Sequence, residues 1–388
     1  MFSQKLGQVK KMIEVARLCR KPIICVGLDY WRLRRKKSLS WNEYYNFEFE
    51  RQTFEFKRNF LGGVEEGVYL ELLNPYRYYI LARNKYLAHI ALEQAFIPTP
   101  ELYCFYNPEC DSTIDGCISF DVRSTKEILE KKQVYECVVK TPEGSHGNAV
   151  FAVIRIDYSE NDALLETTDG KKITLSSILL QYPLLFEQKV NQSAQFERFN
   201  PSSVNTVRFM TILLPTGEAR VIATFIKIGR SGAFVDNAGS GGNVDAGINV
   251  ETGEIYGAME FNGFRKIRSI DYHPDTGTRL NGVKIRNWNQ ICTQLCNFQQ
   301  RFPFLKAIGW DVAITDNGPV IIEINDFWDT TGQLFIQKGW GKEIRECYMA
   351  WKKYNNERDV NYCMGRNNPA SNAVIQKIEK LTYYSIAK

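Results

Sequence analysis

Histidine is scarce in this chain, with three residues among 388, so chemistry that depends on several imidazoles is not expected. The ten cysteines (19, 25, 104, 110, 117, 137, 292, 296, 347 and 363) contain no CxxC pair. Most sit in apolar segments, where a free thiol packs as a small hydrophobe. Cys292 and Cys296 lie four apart on an expected helix, but no histidine is near them in sequence, which argues against zinc. A reduced, cytoplasmic chain is expected. No apolar run reaches membrane-spanning length. The opening segment, MFSQKLGQVKKMIEVARLCRK, has an amphipathic helical pattern with charges throughout, unlike a secretory signal. Charge of one sign is in small excess, 49 basic against 44 acidic residues for a net +5, too mild to argue for a nucleic-acid partner. There is no P-loop, no internal repeat and no low-complexity linker.

What is present is an ordinary globular balance, 44% hydrophobic and 24% charged, in a chain long enough for two or three packed subdomains. The pattern predicts a helix over 1–20 and a buried strand or apolar loop over 21–29 (KPIICVGLD). A basic cluster of Arg32, Arg34, Arg35, Lys36 and Lys37 follows. It suits either a solvated loop or contact with phosphates on a lipid headgroup or a nucleotide-sugar. The aromatic-rich stretch 41–60 reads as helical. A helix over 76–96 must stop at Ile97-Pro98-Thr99-Pro100, because proline cannot continue it. A strand (ELYCFY) and a helix over 124–132 come next. Strands then dominate, at 134–140, 149–156, 184–190, 206–214 and 219–228, with Pro215-Thr216-Gly217 turning the last pair. Residues 229–249 form a glycine-rich loop of a length that implies a function or disorder. Helices over 288–301 and 342–354 flank a strand pair at 307–325, and a polar tail closes the chain in a short helix.

The stretch GWDVAITDNGPVIIEIN (309–325) carries the most chemistry. Asp316-Asn317-Gly318 marks a turn, read as a three-residue hairpin loop with glycine at the left-handed position. In that register Asp311 faces Glu323, and Asn325 points the same way two residues on. Val312, Ile314, Val320, Ile322 and Ile324 then share the opposite, apolar face. A two-residue turn would slip the register by one and misplace Asp311. Two carboxylates and an amide on one sheet face make a hard-oxygen site suited to Mg2+ shared with phosphate oxygens. The bland alternative is a polar strand face meeting water.

Two further segments point to phosphate. In VVKTPEGSHGNAV (138–150) a strand ends in Lys140, and a loop with Gly144, Ser145, His146 and Gly147 follows. Glycines let backbone N–H groups approach phosphate oxygens, and the lysine adds charge. The same loop also reads as a plain glycine turn. In LLFEQKV (184–190) an apolar strand emerges into polar residues, whose backbone could meet an adenine edge or only water.

The order of these parts resembles the ATP-grasp superfamily, to which D-alanine–D-alanine ligases, biotin carboxylases and glutathione synthetases belong. The order is Asn84-Lys85 in NKYLAHIALEQAFIPTP, the strand lysine with its glycine loop, Glu187-Gln188, and Glu323-x-Asn325. The resemblance covers roughly residues 76–345. Within the superfamily, PSSVNTVRFMTIL (201–213) and GRSGAFVDNAGSGGNVDAGINVETGEIYGA (229–258) look most like the sugar-transfer-associated ATP-grasp proteins, which accompany cell-surface polysaccharide genes. The resemblance implies an α+β ATP-grasp fold with ATP clamped between two subdomains. The expected divisions are an N-terminal region (1–132), a lid subdomain (133–190), a metal-binding subdomain (191–354) and a tail (355–388).

Residue by residue, the resemblance implies that Lys85 and Lys140 contact ATP phosphates and that Gly144, Ser145, His146 and Gly147 close over them. It places Glu187, Gln188, Lys189 and Val190 at the adenine and gives Asp311, Glu323 and Asn325 to Mg2+. His146 is either a phosphate contact or a loop residue. Many ligases of the superfamily carry an arginine shortly before the first metal carboxylate. Here Gly309 and Trp310 stand in that stretch, so Arg208, Lys227 or Arg230 is expected to supply the catalytic charge. Arg230 and Asn237 are the candidates for substrate contact, unless their loop is only a lid. After Asn325, Asp326-Phe327-Trp328-Asp329 replaces the usual proline-glycine type turn, which points to a different acceptor side.

The activity implied is ATP-dependent ligation of a carboxylate, an amino acid for instance, to an amine on a sugar or peptide through an acylphosphate. The setting implied is modification of cell-surface polysaccharide or peptide. The rivals are an ATP-grasp-type kinase and a nucleotide-binding regulator without turnover. No nucleic-acid partner is expected, and the basic cluster at 32–37 is the one place where a membrane could be met.

Overall fold

The computed structural model describes residues 2–109, 117–144, 150–180, 182–232 and 242–357. Two seven-stranded sheets organise the chain. The first holds β1 (Leu102–Tyr106), β2 (Ile118–Ser119), β3 (Cys137–Lys140), β4 (Val150–Tyr158), β5 (Ala163–Thr167), β6 (Lys172–Thr174) and β7 (Leu184–Glu187), in the order β2-β1-β7-β3-β4-β5-β6. The second holds β8 (Thr206–Leu213), β9 (Ala219–Ile228), β10 (Val244–Ile248), β11 (Ile255–Phe261), β12 (Ile267–Ser269), β13 (Ala307–Thr315) and β14 (Gly318–Asn325), in the order β12-β11-β10-β9-β8-β13-β14. With its helices this is an α+β architecture, as the resemblance implies. The first sheet reaches back to β1 and β2, across the boundary drawn at 132 from the sequence.

Alternation sorts the second sheet into two faces. Val207, Phe209, Ile226, Ile228, Ile308, Trp310 and Val312 turn to a core closed by the helices Trp288–Arg301 and Lys85–Gln94. Met210, Ile212, Ala223, Phe225, Met259 and Phe261 turn the other way, onto the N-terminal helices and onto Trp328, Phe335 and Trp340. Burial of these large side chains, each worth roughly 1.5–3 kcal/mol, holds the N-terminal region to one half of that second face. The other half carries the charged residues described below. Buried Asn74 fixes the junction: its amide donates to the carbonyls of Ala307 and Asp326 and accepts from the N–H groups of Lys306 and Ala307.

Four local expectations change. Residues 21–29 are neither strand nor loop but enter the helix Ile23–Lys37, whose Val26 is buried. The apolar run there is one face of a helix, which a short window cannot distinguish from a strand. The helix expected over 76–96 is broken at Asn84, whose side chain accepts from Leu87 N and caps Lys85–Gln94. Lys85 is thereby placed at a helix start. Part of the long loop at 229–249 is strand β10.

The fourth change is the hairpin loop. Thr315 pairs with Gly318, so only Asp316 and Asn317 span the turn, and Gly318 takes φ 113°. The slip expected from a two-residue turn is cancelled by a β-bulge: Val312 pairs with Ile321 but Asp311 with Glu323. The extra residue is Ile322, and Ile321 takes its place in the apolar core beside Val312, Ile314 and Ile324. A bulge adds one residue to one strand and so restores the face on which later side chains emerge. Among the described residues, no helix is long and apolar enough to cross a membrane.

Candidate functional site

A row of charge crosses the second sheet. Asp245 on β10 pairs in register with Lys227 on β9, and Lys227 with Thr206 on β8. Two residues on, Arg208 pairs with Asp311 on β13, and Asp311 with Glu323 on β14. Directly opposed residues in an antiparallel pair emerge on the same face, so sheet register alone brings these groups together.

Asp311 is buried and paired with two cations. Arg208 donates to it through Nε (2.7 Å) and Nη2 (2.8 Å), and Lys227 Nζ lies 2.9 Å from Oδ1. Burial alone would raise its pKa, but Arg208 and then Lys227 hold the carboxyl well below the usual carboxylate range. Asp311 in turn outweighs the burial of Arg208 and raises that guanidinium's pKa. The planar fork explains why arginine suits this position. Gly309 makes room for it: a Cβ there would meet Arg208 Nη1 at 3.3 Å and Trp328 Cδ1 at 3.2 Å. Of the three cations expected to stand in for the arginine missing from 309–310, Arg208 and Lys227 lie against Asp311.

Glu323 faces a cleft of about 20 Å³ between the two sheets, lined also by Lys85, His89, Lys140 and Glu187. Lys85 Nζ lies 3.5 Å from Glu323 and donates to Gly144 O at 2.9 Å. Its backbone N–H donates to Pro142 O at 2.7 Å. One lysine therefore ties the start of the glycine loop to the second sheet. Lys140 and Glu187, on adjacent strands β3 and β7, form a buried ion pair at 2.5 Å. Beyond Glu187, Gln188 exchanges bonds with Glu101: its N–H donates to Glu101 O, and its side-chain oxygen accepts from Glu101 N. Lys189 reaches Glu136 at 3.1 Å, and Val190 is partly exposed. Asn325 donates through Nδ2 to Gly309 O at 3.2 Å.

Arg230 is held by acids outside this group. Arg230 makes a two-pronged pair with Asp275 (2.8 and 2.7 Å) and a contact with Glu260 at 3.0 Å. Its charge is taken up by those acids. Ser145, His146, Gly147 and Asn237 lie outside the described residues.

The sequence reading missed His89, which is buried in the cleft. Its Nε2 lies 3.3 Å from Glu93, and its buried Nδ1 has no partner. Burial lowers its pKa, against the pull of Glu93 and Glu187, so the ring is neutral near pH 7. The available signal was helical spacing: Lys85, His89 and Leu92 share one face. Also missed were the pair Arg83–Asp326, at 2.9 Å, and the buried carboxyl of Glu66. Burial, and then Asp329, push the Glu66 pKa well above the ordinary value.

The donor set admits Mg2+. A carboxylate has about four acceptor sites, and the bonds from Arg208 and Lys227 take three of those on Asp311. Glu323 is partly exposed, and the Asn325 amide nitrogen is committed, which leaves its oxygen available to a cation. A larger cavity of about 260 Å³ lies elsewhere, lined by Arg198, Arg279 and Arg286, and includes none of the expected site residues. Lysines and carboxylates converge instead on the smaller cleft.

Comparison with known proteins identifies the family. The family model described as sugar-transfer associated ATP-grasp matches residues 66–347. No curated protein sequence matches the chain. Similar solved structures include an ADP complex of N5-carboxyaminoimidazole ribonucleotide synthetase (11% identity, 69% of this chain and 52% of that chain, TM-score 0.40). A biotin carboxylase from Campylobacter jejuni is similar at 8% identity, over 70% of this chain and 46% of that one, with TM-score 0.37. A D-alanine–D-alanine ligase from Bacillus anthracis is similar at 12% identity, over 72% and 69%, with TM-score 0.38. The chain spans about half the length of the first two.

Proposed function

We propose that this chain, which belongs to the sugar-transfer associated ATP-grasp family, is an ATP-dependent ligase that joins a carboxylate to an amine. The observation that carries the reading is the convergence of Lys85, Lys140 and Glu323 on one cleft, beside the Arg208–Asp311–Lys227 cluster. In this reading the two lysines exchange their present partners for phosphate oxygens. The backbone of 187–190 meets the adenine edge. Glu323, Asn325 and the remaining acceptor site of Asp311 hold Mg2+, whose contribution when bound is to neutralise phosphate charge.

The acceptor carboxylate attacks the γ-phosphorus of ATP, the bond to the bridging oxygen breaks, and ADP leaves. The resulting acylphosphate is attacked at its acyl carbon by an amine, and inorganic phosphate departs as the amide forms. Neither step needs a protein nucleophile. Both need positioned charge, which a cleft with one neutral histidine and several cations can supply. The family's association with sugar transfer favours an amine on an amino sugar or a peptide.

The pairing of Asp311 with two cations favours a second reading, a nucleotide-binding regulator without turnover. The test is release of ADP and phosphate from Mg-ATP against a panel of amino acids, amino sugars and nucleotide-sugars, with mass spectrometry of the products. A product lighter by one water than its summed reactants is expected. A product heavier by one phosphoryl group would make the protein a kinase. Tight ATP binding with no release across the panel would favour the regulator.

A further inference from the structure

We infer that the helix Ile23–Lys37 is a docking surface for an anionic lipid bilayer. The helix is two-faced in an unusual sense, because both faces have apolar character. The inner face packs Val26, Tyr30 and Leu33 into the N-terminal core. Directly opposite, at helical spacing, stand Ile24, Leu28 and Trp31, which are 71%, 49% and 52% exposed. A Cβ at Gly27, between them, would meet open space.

Basic residues flank this stripe. Arg32, Arg34, Arg35 and Lys36 are exposed. Arg34 donates to Tyr30 Oη at 3.1 Å, and the Arg35 guanidinium lies 4.8 Å from the Trp31 ring centre. The fifth basic residue, Lys37, is turned inward and donates to Phe60 O at 3.0 Å. The single acid of the helix, Asp29, is held by Lys57 at 2.9 Å and by the Tyr44 hydroxyl. The solvent side thus presents apolar side chains and positive charge, with its acid neutralised beneath.

Charge complementarity selects the occupant. The first 37 residues hold 11 basic and two acidic side chains, a net +9, whereas the whole chain nets +5, so the remainder nets −4. An apolar stripe with a tryptophan between basic flanks lies in the headgroup plane of a bilayer rather than across it. That agrees with the absence of a spanning helix among the described residues. Each basic residue near an anionic surface strengthens partition by about fivefold. A neutral surface would leave these charges without a partner.

The experiment is co-sedimentation of the full chain with vesicles of phosphatidylcholine alone, or with about 30% phosphatidylserine. Binding to the anionic vesicles is expected, with release in high salt and weak binding to the neutral ones. Leu28→Glu should cut the partition at least tenfold, and the pair Arg32→Glu, Arg35→Glu by more. Quenching of tryptophan by brominated lipid should be lost in Trp31→Phe. All these positions are exposed, and unchanged melting curves would show that the variants fold. Three results would overturn the inference: no sedimentation with either vesicle, binding unaffected by these variants, or concentration-dependent dimers that Leu28→Glu abolishes. The last would make a second copy the occupant.

Discussion

The two acids that face each other across β13 and β14 have opposite circumstances. Asp311 is buried, and its cations come from strands of its own sheet. Glu323 is partly exposed, and its lysine comes from a helix start that also holds the glycine loop. The Asp311 cluster is therefore part of the framework. The Glu323–Lys85 contact, at 3.5 Å, can open without unpairing a strand. A site that must admit a nucleotide and hold its charge needs both kinds of contact. The pair Lys140–Glu187 sits between the two cases, locked within one sheet yet lining the cleft.

Substitutions can break this contrast. The largest loss of stability is expected for Asp311→Asn, which strands Arg208 and Lys227 without their acid at a cost of about 3–5 kcal/mol, read from denaturant unfolding. Because the folded chain holds the Asp311 carboxyl below its ordinary range, its contribution is complete above about pH 4 and is lost as pH falls. The variant should lose that acid-side dependence. Glu323→Gln should leave stability within about 1 kcal/mol while abolishing turnover and weakening Mg-ATP binding. Unchanged kinetics would remove Glu323 from the site.

Smaller effects sharpen the comparison. Lys140→Ala should raise the ATP dissociation constant about tenfold, the loss of one charge-assisted contact, and should also destabilise the chain by leaving Glu187 buried alone. Lys85→Ala should weaken ATP binding with little loss of stability, and equal destabilisation by the two variants would erase the distinction. The smallest effect concerns Glu66. Its folded pKa is raised by burial, so its contribution is present at acid pH and declines as pH rises through that raised value. Glu66→Gln should flatten the fall in melting temperature that sets in as pH rises above about 4.

Much of the site was legible because it rests on short-range rules. Alternation placed Asp311, Glu323 and Asn325 on one face, and Asp311 does pair with Glu323. The route was different, since the bulge at Ile322 achieves what the longer loop was expected to do. A bulge has no composition of its own, and only pairing against β13 reveals it. His89 and Glu66 were illegible for another reason. A histidine on a helix or a glutamate in its first turn becomes chemically distinctive only when a partner element removes it from water.

The sequence by itself, through its resemblance to the ATP-grasp superfamily, pointed to the fold, while periodicity and turn chemistry located most strands and helices and the residue types available to phosphate and metal. Tertiary structure alone decided which cation serves which acid. Arg208 and Lys227 lie more than eighty residues from Asp311 in the chain, and only sheet register, with Gly309 leaving space for a guanidinium, brings them within hydrogen-bonding reach. Coulombic and hydrogen-bond energies depend on distance through space, and separation along the chain carries almost no information about that distance until the sheets have formed.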